Sequence, residues 1–279
     1  MKTTLIVLHV IRVHNLCLGI LAVYVSSFLL EVDFNLDVFW CMSAVCSVMA
    51  LGYLMNDCLD IKSDKINHPK RVIVNHKIGY FQLLIIGLFF LIVLFFSSIS
   101  INKEAQNYLF FIVIPLLVCY NFFLKKIPLL GNFSVSFLLG FVFLFTEKTL
   151  LNSFNNLLIP FYLTVCFSFL RELIKDAEDK DGDNASKMWT IPIILGEKKT
   201  RLFIILVTVI LLLLLPSPYF FKIYTIKYFL SLILFIEIPL IYSLFLLIKF
   251  PSKRTYTFLV KLLKFLCLAG LIVFIIEKQ

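Results

Sequence analysis

"LMNDCLDIKSDKINHPKR" runs from Leu54 to Arg71 and places Asp57, Asp60 and Asp64 directly after an apolar stretch. The preceding segment, from about residue 38 to 55, carries no charged side chain. A helix of that composition belongs in lipid, and an acidic cluster at its end belongs at the water interface. The fold class turns on this junction.

The rest of the chain repeats the pattern of the apolar half. The sequence has 279 residues, of which 61% are hydrophobic and 15% charged. Soluble domains carry about 25% charged residues. A water-soluble core cannot absorb this much Leu, Ile and Phe, so lipid is the solvent for most of the surface. Apolar runs of spanning length fall near 10–30, 38–55, 78–98, 107–124, 129–147, 157–174, 200–217, 223–248 and 256–276. They predict an all-α polytopic membrane protein of about nine transmembrane helices, with residues 1–279 as one domain. Helices and closed barrels alone satisfy the backbone in lipid. Short alternating strands are absent from the pattern, which excludes a barrel.

Arg12 and His14 interrupt the first run, and no small-residue cleavage site follows, so the first span is expected to be retained. The cysteines form no C-x-x-C pair and read as reduced, small hydrophobes. The net charge of +9 reflects basic residues flanking spans and carries no nucleic-acid motif. With the N-terminus inside, the loops after even-numbered spans hold 19 of the 26 basic residues, including Lys62, Lys65, Arg71, Lys77, Lys125, Lys198 and Arg254. Five fall on the other side, and Lys261 and Lys264 lie within the last span, unassigned. The bias predicts that the N-terminus and the even loops are cytoplasmic; the expected location is a bacterial or archaeal cell membrane, as an integral multi-pass protein.

That parity puts two acidic segments at one face. The first is the opening stretch; the second is "RELIKDAEDKDGD", Arg171 to Asp183, after span 6. Together they hold nine of the 17 carboxylates. On a helix, Asn56, Asp60 and Asp64 share a face, with Asp57 close in angle to Asp64; Asp176, Asp179 and Asp183 share another. Stripes of oxygen ligands at helix C-termini repel one another unless a cation intervenes, and such ligand sets suit magnesium beside phosphate. Arg71, Tyr120, Lys125, Lys126, Lys175 and Lys187 are expected at the same rim. Carboxylates and cations together suit a polyphosphate, and the surrounding Phe and Leu suit a greasy tail. A lipid diphosphate meets both demands.

The same residues resemble a known family. "NDCLDIKSD" fits the NDxxDxxxD motif of the UbiA superfamily of intramembrane prenyltransferases, and "KINHPKR" continues as that family does. "DAEDKDGD" is similar to its second aspartate-rich motif, "YNFFLKKIPLLGN" to the segment after its fourth helix, and Arg12 with Asn15 to an R-x-x-N pattern in its first. Glu172, Lys175, Asp176, Glu178, Asp179, Gly182, Asp183, Thr190, Pro192 and Gly196 most resemble the branch that includes digeranylgeranylglyceryl phosphate synthase. The chain departs from the pattern where Val72 replaces a proline, where a glycine is missing near His76, and where Lys187 and Trp189 stand for a glycine and a lysine.

The resemblance implies helices around a central cavity under a cytoplasmic cap, and transfer of a polyprenyl group from its allylic diphosphate. It implies magnesium, two ions, on Asn56, Asp57, Asp60, Asp64, Asp176, Asp179 and Asp183, with Asp60, Asp64, Asp176 and Asp179 central to catalysis. Asn15, Arg71, Tyr120, Lys125, Lys175 and Lys187 are the implied substrate-binding residues. The expected acceptor is a glycerol-phosphate-type lipid alcohol. An aromatic acceptor such as a hydroxybenzoate or naphthoate is the alternative, for which Arg71 or Arg171 would bind the carboxylate. No obligate protein partner is expected. Glu237, an acid within a span, is a further candidate, and a cation-coupled transporter is the rival class. An alcohol phosphatidyltransferase is disfavoured because its D-x-x-D-G-x-x-A-R motif is missing.

Overall fold

A computed structural model describes residues 3–75 and 78–279, without the side chains of residues 3–5; His76 and Lys77 lie outside the described residues. Every regular element described is helical. The helices are α1 (Thr3–Val10), α2 (Val13–Leu29), α3 (Leu36–Leu59), α4 (Ile61–Asn67), α5 (Tyr80–Ser100) and α6 (Lys103–Phe122). They continue as α7 (Leu130–Leu151), α8 (Leu158–Ala185), α9 (Ile191–Leu214), α10 (Ile226–Lys249) and α11 (Lys253–Lys278).

Among the described residues, seven helices are long and apolar enough to cross a membrane: α3, α5, α6, α7, α9 with its extension to Phe220, α10 and α11. The seventeen-residue α2 is a shorter apolar helix. At 28 residues α8 is about 42 Å long, more than the roughly 30 Å of a hydrocarbon core. Its C-terminal turns carry the acidic residues. The expected first span, 10–30, is broken: Arg12 adopts φ 52°, ψ 53°, and the chain restarts as α2.

Side-chain caps set the starts of several helices. Asn35 accepts from the Val38 N–H at 3.0 Å, Asn102 from Ala105 at 2.8 Å and Ser252 from Thr255 at 3.2 Å. Both π-turns, Leu109–Val113 in α6 and Ile233–Glu237 in α10, sit just ahead of a proline, Pro115 and Pro239. Proline lacks the N–H of an α-turn and crowds the carbonyl four residues back, so a wider turn relieves the conflict.

The long helices pack as a ring: α2 on α3, α3 on α6, then α7, α8, α9, α10 and α11, which returns to α2. Gly19 lets α2 and α3 approach closely: a Cβ there would stand 2.4 Å from Met49 Sδ and 3.5 Å from Val45 Cγ1. Lipid-facing positions take the large apolar side chains, as with Phe81, Phe111 and Phe265. A separate apolar cluster of Val10, Leu54, Val72, Ile73, Ile78 and Leu83 anchors the segment after α4. Val72, which stands for the expected proline, is buried there as packing.

Candidate active site

The first acidic motif is not one straight stripe. The chain turns at Asp60, which ends α3 and begins α4: its N–H bonds Asn56 O at 2.9 Å, and its carbonyl accepts from Asp64 N at 2.8 Å. The face shared by Asn56, Asp60 and Asp64 on a continuous helix is thereby divided. The turn gives each carboxylate its own cation instead of stacking three at one helix C-terminus. Buried Asp57 pairs with Arg12 and lies 3.5 Å from Arg71. Asp64 pairs with Arg71, and Asp60 with Lys125 Nζ at 2.5 Å.

The left-handed break at Arg12 has its purpose here. It turns the guanidinium onto Asp57 and over the Tyr53 ring, 5.0 Å from its centroid. Lys125 reaches Asp60 because its loop folds back on Gly131, where a Cβ would meet Lys125 Cα at 2.9 Å.

The second motif continues α8, so it lies on a helix rather than on the expected loop. Asp176 accepts from Asn132 Nδ2 at 2.8 Å, His68 Nε2 lies 3.0 Å from Asp179, and Ser63 Oγ donates to Asp183 at 3.3 Å. These partners come from α7 and from the α4 segment, so the shared face of α8 turns toward the first motif. Asn67 staples the two: its Nδ2 donates to Asp179 O at 2.7 Å and its Oδ1 accepts from Gly182 N at 3.0 Å. Gly182 is required by this approach, because a Cβ would stand 2.4 Å from Asn67 and 2.6 Å from Ser63 O. Asp181 points outward and pairs with Lys253 at the surface.

Between the motifs the electrostatics favour an added cation. Burial and the charge of Asp179 push Asp183 up to about 7, and Asp60 contributes from the other motif. Burial raises Asp64 even though Arg71 opposes the shift. Burial also acts against Asp179, but His68 and Lys175 outweigh it and hold that group below its ordinary value. Among the described residues, no three acidic, imidazole or thiol groups converge at metal-ligand distance. Arg71, Lys125 and His68 hold several of the carboxylates instead. The donor set fits a hard divalent cation: it is all oxygen, it is drawn from two stapled elements, and it is short of positive charge at Asp183.

Beside the motifs lies a cavity of about 280 Å³, lined by residues of α2, α3, α6, α7, α8 and α11. Its polar wall holds Asn15, Asn56, Tyr120, Asn121, Glu172 and Lys175. An apolar chamber of about 140 Å³ adjoins it, and Asn15, Tyr53 and Arg171 line both. The expected site residues Asn15, Asn56, Tyr120 and Lys175 thus line the cavity. Lys187 does not: it is exposed, on a left-handed turn at φ 55°. That conformation explains why a glycine is common at this position of the resembling family. His14 and Glu237 also lie off both cavities. Ser63, Asn67, His68, Asn132 and Lys264 were not legible as site residues, since each acts through an element distant in sequence.

A ring of helices with two acidic motifs stapled over a greasy chamber is the arrangement the sequence resemblance implied. Residues 16–268 match the UbiA prenyltransferase family. The chain belongs to that family. This membership makes it a membrane-embedded transferase of prenyl groups and removes the transporter alternative. Digeranylgeranylglyceryl phosphate synthase of Methanocaldococcus jannaschii is 34% identical, over 96% of this chain and 94% of that protein. A solved digeranylgeranylglyceryl phosphate synthase structure is 31% identical, with a TM-score of 0.71 over 100% of this chain and 99% of that one. A UbiA homologue from Archaeoglobus fulgidus, solved with GPP and Mg2+, shares the fold at 13% identity and a TM-score of 0.68, covering 96% of this chain and 99% of that one.

Proposed function

We propose that this member of the UbiA prenyltransferase family transfers a polyprenyl group from an allylic diphosphate to the free hydroxyl of a prenylated glyceryl phosphate, forming an ether lipid. The observation that carries the reading is the stapling of two carboxylate motifs across α4 and α8 beside a chamber with apolar walls. Support for the acceptor comes from similarity along nearly the whole chain to synthases named for that product. The reading counts nine membrane crossings, α2 and α8 joining the seven, with both motifs at the cytoplasmic face.

Asn56, Asp60, Asp64, Asp176, Asp179 and Asp183 would hold magnesium, two ions, once Arg71, Lys125 and His68 yield their carboxylates; Asp57 stays with Arg12. Bound there, magnesium would supply the positive charge that offsets the diphosphate as it leaves. The homologue solved with GPP and Mg2+ supports this by analogy of fold. Arg71, Lys125 and Lys175 then donate to phosphate oxygens. Tyr53, Tyr120, Phe141 and Phe145 line the chamber and offer ring faces to the allylic cation. The acceptor hydroxyl oxygen bonds to the allylic carbon, and its proton passes to a carboxylate, with Glu172 lining the chamber.

The test incubates purified protein with labelled C10, C15 and C20 diphosphates and a panel of acceptors, and identifies the product by mass. The expected product is an ether that survives alkaline hydrolysis. A C-alkylated aromatic as sole product would discard this acceptor and leave the prenyl transfer standing.

A further inference from the structure

Four cations line the larger chamber: Arg12, Arg171, Lys175 and Lys264. Three are matched by acids. Arg12 pairs with Asp57, Arg171 donates to Glu172 at 2.6 Å, and Lys175 lies 3.8 Å from the same Glu172. Lys264 has no ion pair or hydrogen bond among the described residues. The cationic side chains whose charge reaches it are Arg171 and Arg12, both of its own sign. It stands about 16 Å along α11 from Lys253, well inside a helix fit to cross the membrane. An unpaired lysine at that depth carries a standing insertion cost and calls for an anion that the protein itself does not provide.

The place of the anion follows from the cavities. Arg171 stands five residues before Asp176 on α8, so it lies deeper than the acidic motifs by about 7.5 Å. With Asn15 and Tyr53 it marks the junction between the larger chamber and the second one. That second chamber is walled by Leu18, Leu163, Phe167, Leu232 and Phe274. A ligand with a phosphate at the junction and an alkyl tail beyond it satisfies both walls. The diphosphate's phosphates belong at the rim with Arg71 and Lys125, so this second anion is a different molecule's.

We infer that Lys264, with Arg171, binds the phosphate monoester of the acceptor, whose tail occupies the second chamber. The inference rests on the lipid-alcohol reading of the acceptor and names the residues that select it. Lys264 is a specificity-determining residue, and its effect falls on the acceptor alone.

The test uses the full chain in nanodiscs, with a prenyl diphosphate, magnesium, and either prenylglyceryl phosphate or its dephosphorylated alcohol as acceptor. Lys264→Met raises KM for the phosphorylated acceptor by about tenfold or more, as expected for losing a charged hydrogen bond. KM for the diphosphate and turnover of the neutral alcohol stay as in the wild type. Lys264→Arg restores the phosphorylated acceptor. Lys261→Met, an exposed lysine on the same helix that lines neither chamber, changes nothing. A parallel arm measures binding of the phosphorylated lipid without diphosphate. Equal loss on both acceptors, a shifted diphosphate KM, or equal wild-type affinity for phosphorylated and neutral lipid would overturn the inference. A wild type that binds the phosphorylated lipid through Lys264 but prenylates only aromatic acids would overturn the acceptor reading and leave the site.

Discussion

Asp183 accepts from Ser63 and feels the charges of Asp179 and Asp60, and its pKa near 7 gives the site a measurable pH signature. Unfolded, this carboxyl titrates near 3.9. Between those values the folded protein keeps a proton that the unfolded chain has lost. The stability of the magnesium-free protein therefore falls as pH rises from about 4 to about 7. Magnesium binding removes the penalty and expels the proton. The thermal shift produced by magnesium should then be large near pH 8 and small near pH 5, and Asp183→Asn should flatten the difference. Equal shifts at both pH values would show that Asp183 lies outside the metal's reach. At this scale the sequence displayed the acids, with Arg71 and Lys125 expected beside them, and hid the partners of the second motif. The spacing of Asp176, Asp179 and Asp183 shows in the chain itself, but His68, Ser63 and Asn132 reach them only through tertiary packing.

At the scale of elements, the contact between α4 and α8 is the joint that brings the motifs together. Gly182 leaves room for Asn67, and Asn67 bonds the α8 backbone at two points. Gly182→Ala should push α4 away, at a cost of about 1–3 kcal/mol from overpacking, and raise the magnesium concentration for half-maximal activity. Thermal melting and a magnesium titration would check this; unchanged magnesium dependence would mean that the joint does not set the metal site. Helix spans were readable because apolar length and lipid thickness are matched. Breaks were harder. The turn at Asp60 and the kink at Arg12 contain neither glycine nor proline, and each is paired with a charge distant in sequence, Lys125 on the loop after α6 and Asp57 on α3. The prolines behind the two π-turns, by contrast, stand in the sequence at Pro115 and Pro239.

Across the whole molecule, basic residues outnumber acidic ones on the loops after even-numbered spans, and this bias is the ground for the proposal that both motifs lie at the cytoplasmic rim. Single cysteines introduced beside Asp60 and Asp179 in a cysteine-free background should be labelled from the same, cytoplasmic side. Labelling from opposite sides would separate the motifs. The helices and their lipid-facing Phe and Leu followed from composition and apolar run length, and their arrangement around a cavity from the family resemblance, whereas the division of the interior into two chambers followed from neither. Lys264 shows why: in sequence it is one basic residue in a span, and only packing of α11 against α2 and α8 turns it to the cavity. The central claim is that two acidic motifs act as one magnesium-dependent site for prenyl transfer. It is tested most directly by following transfer of a labelled prenyl diphosphate to prenylglyceryl phosphate in magnesium and in excess EDTA, for the wild type, Asp60→Asn and Asp179→Asn. The account predicts activity in magnesium alone, and a loss of roughly 10²–10³-fold in kcat for each folded variant, the scale of losing about 3–4 kcal/mol of charge stabilisation. Activity in EDTA equal to that in magnesium, or full activity in either variant, would contradict it.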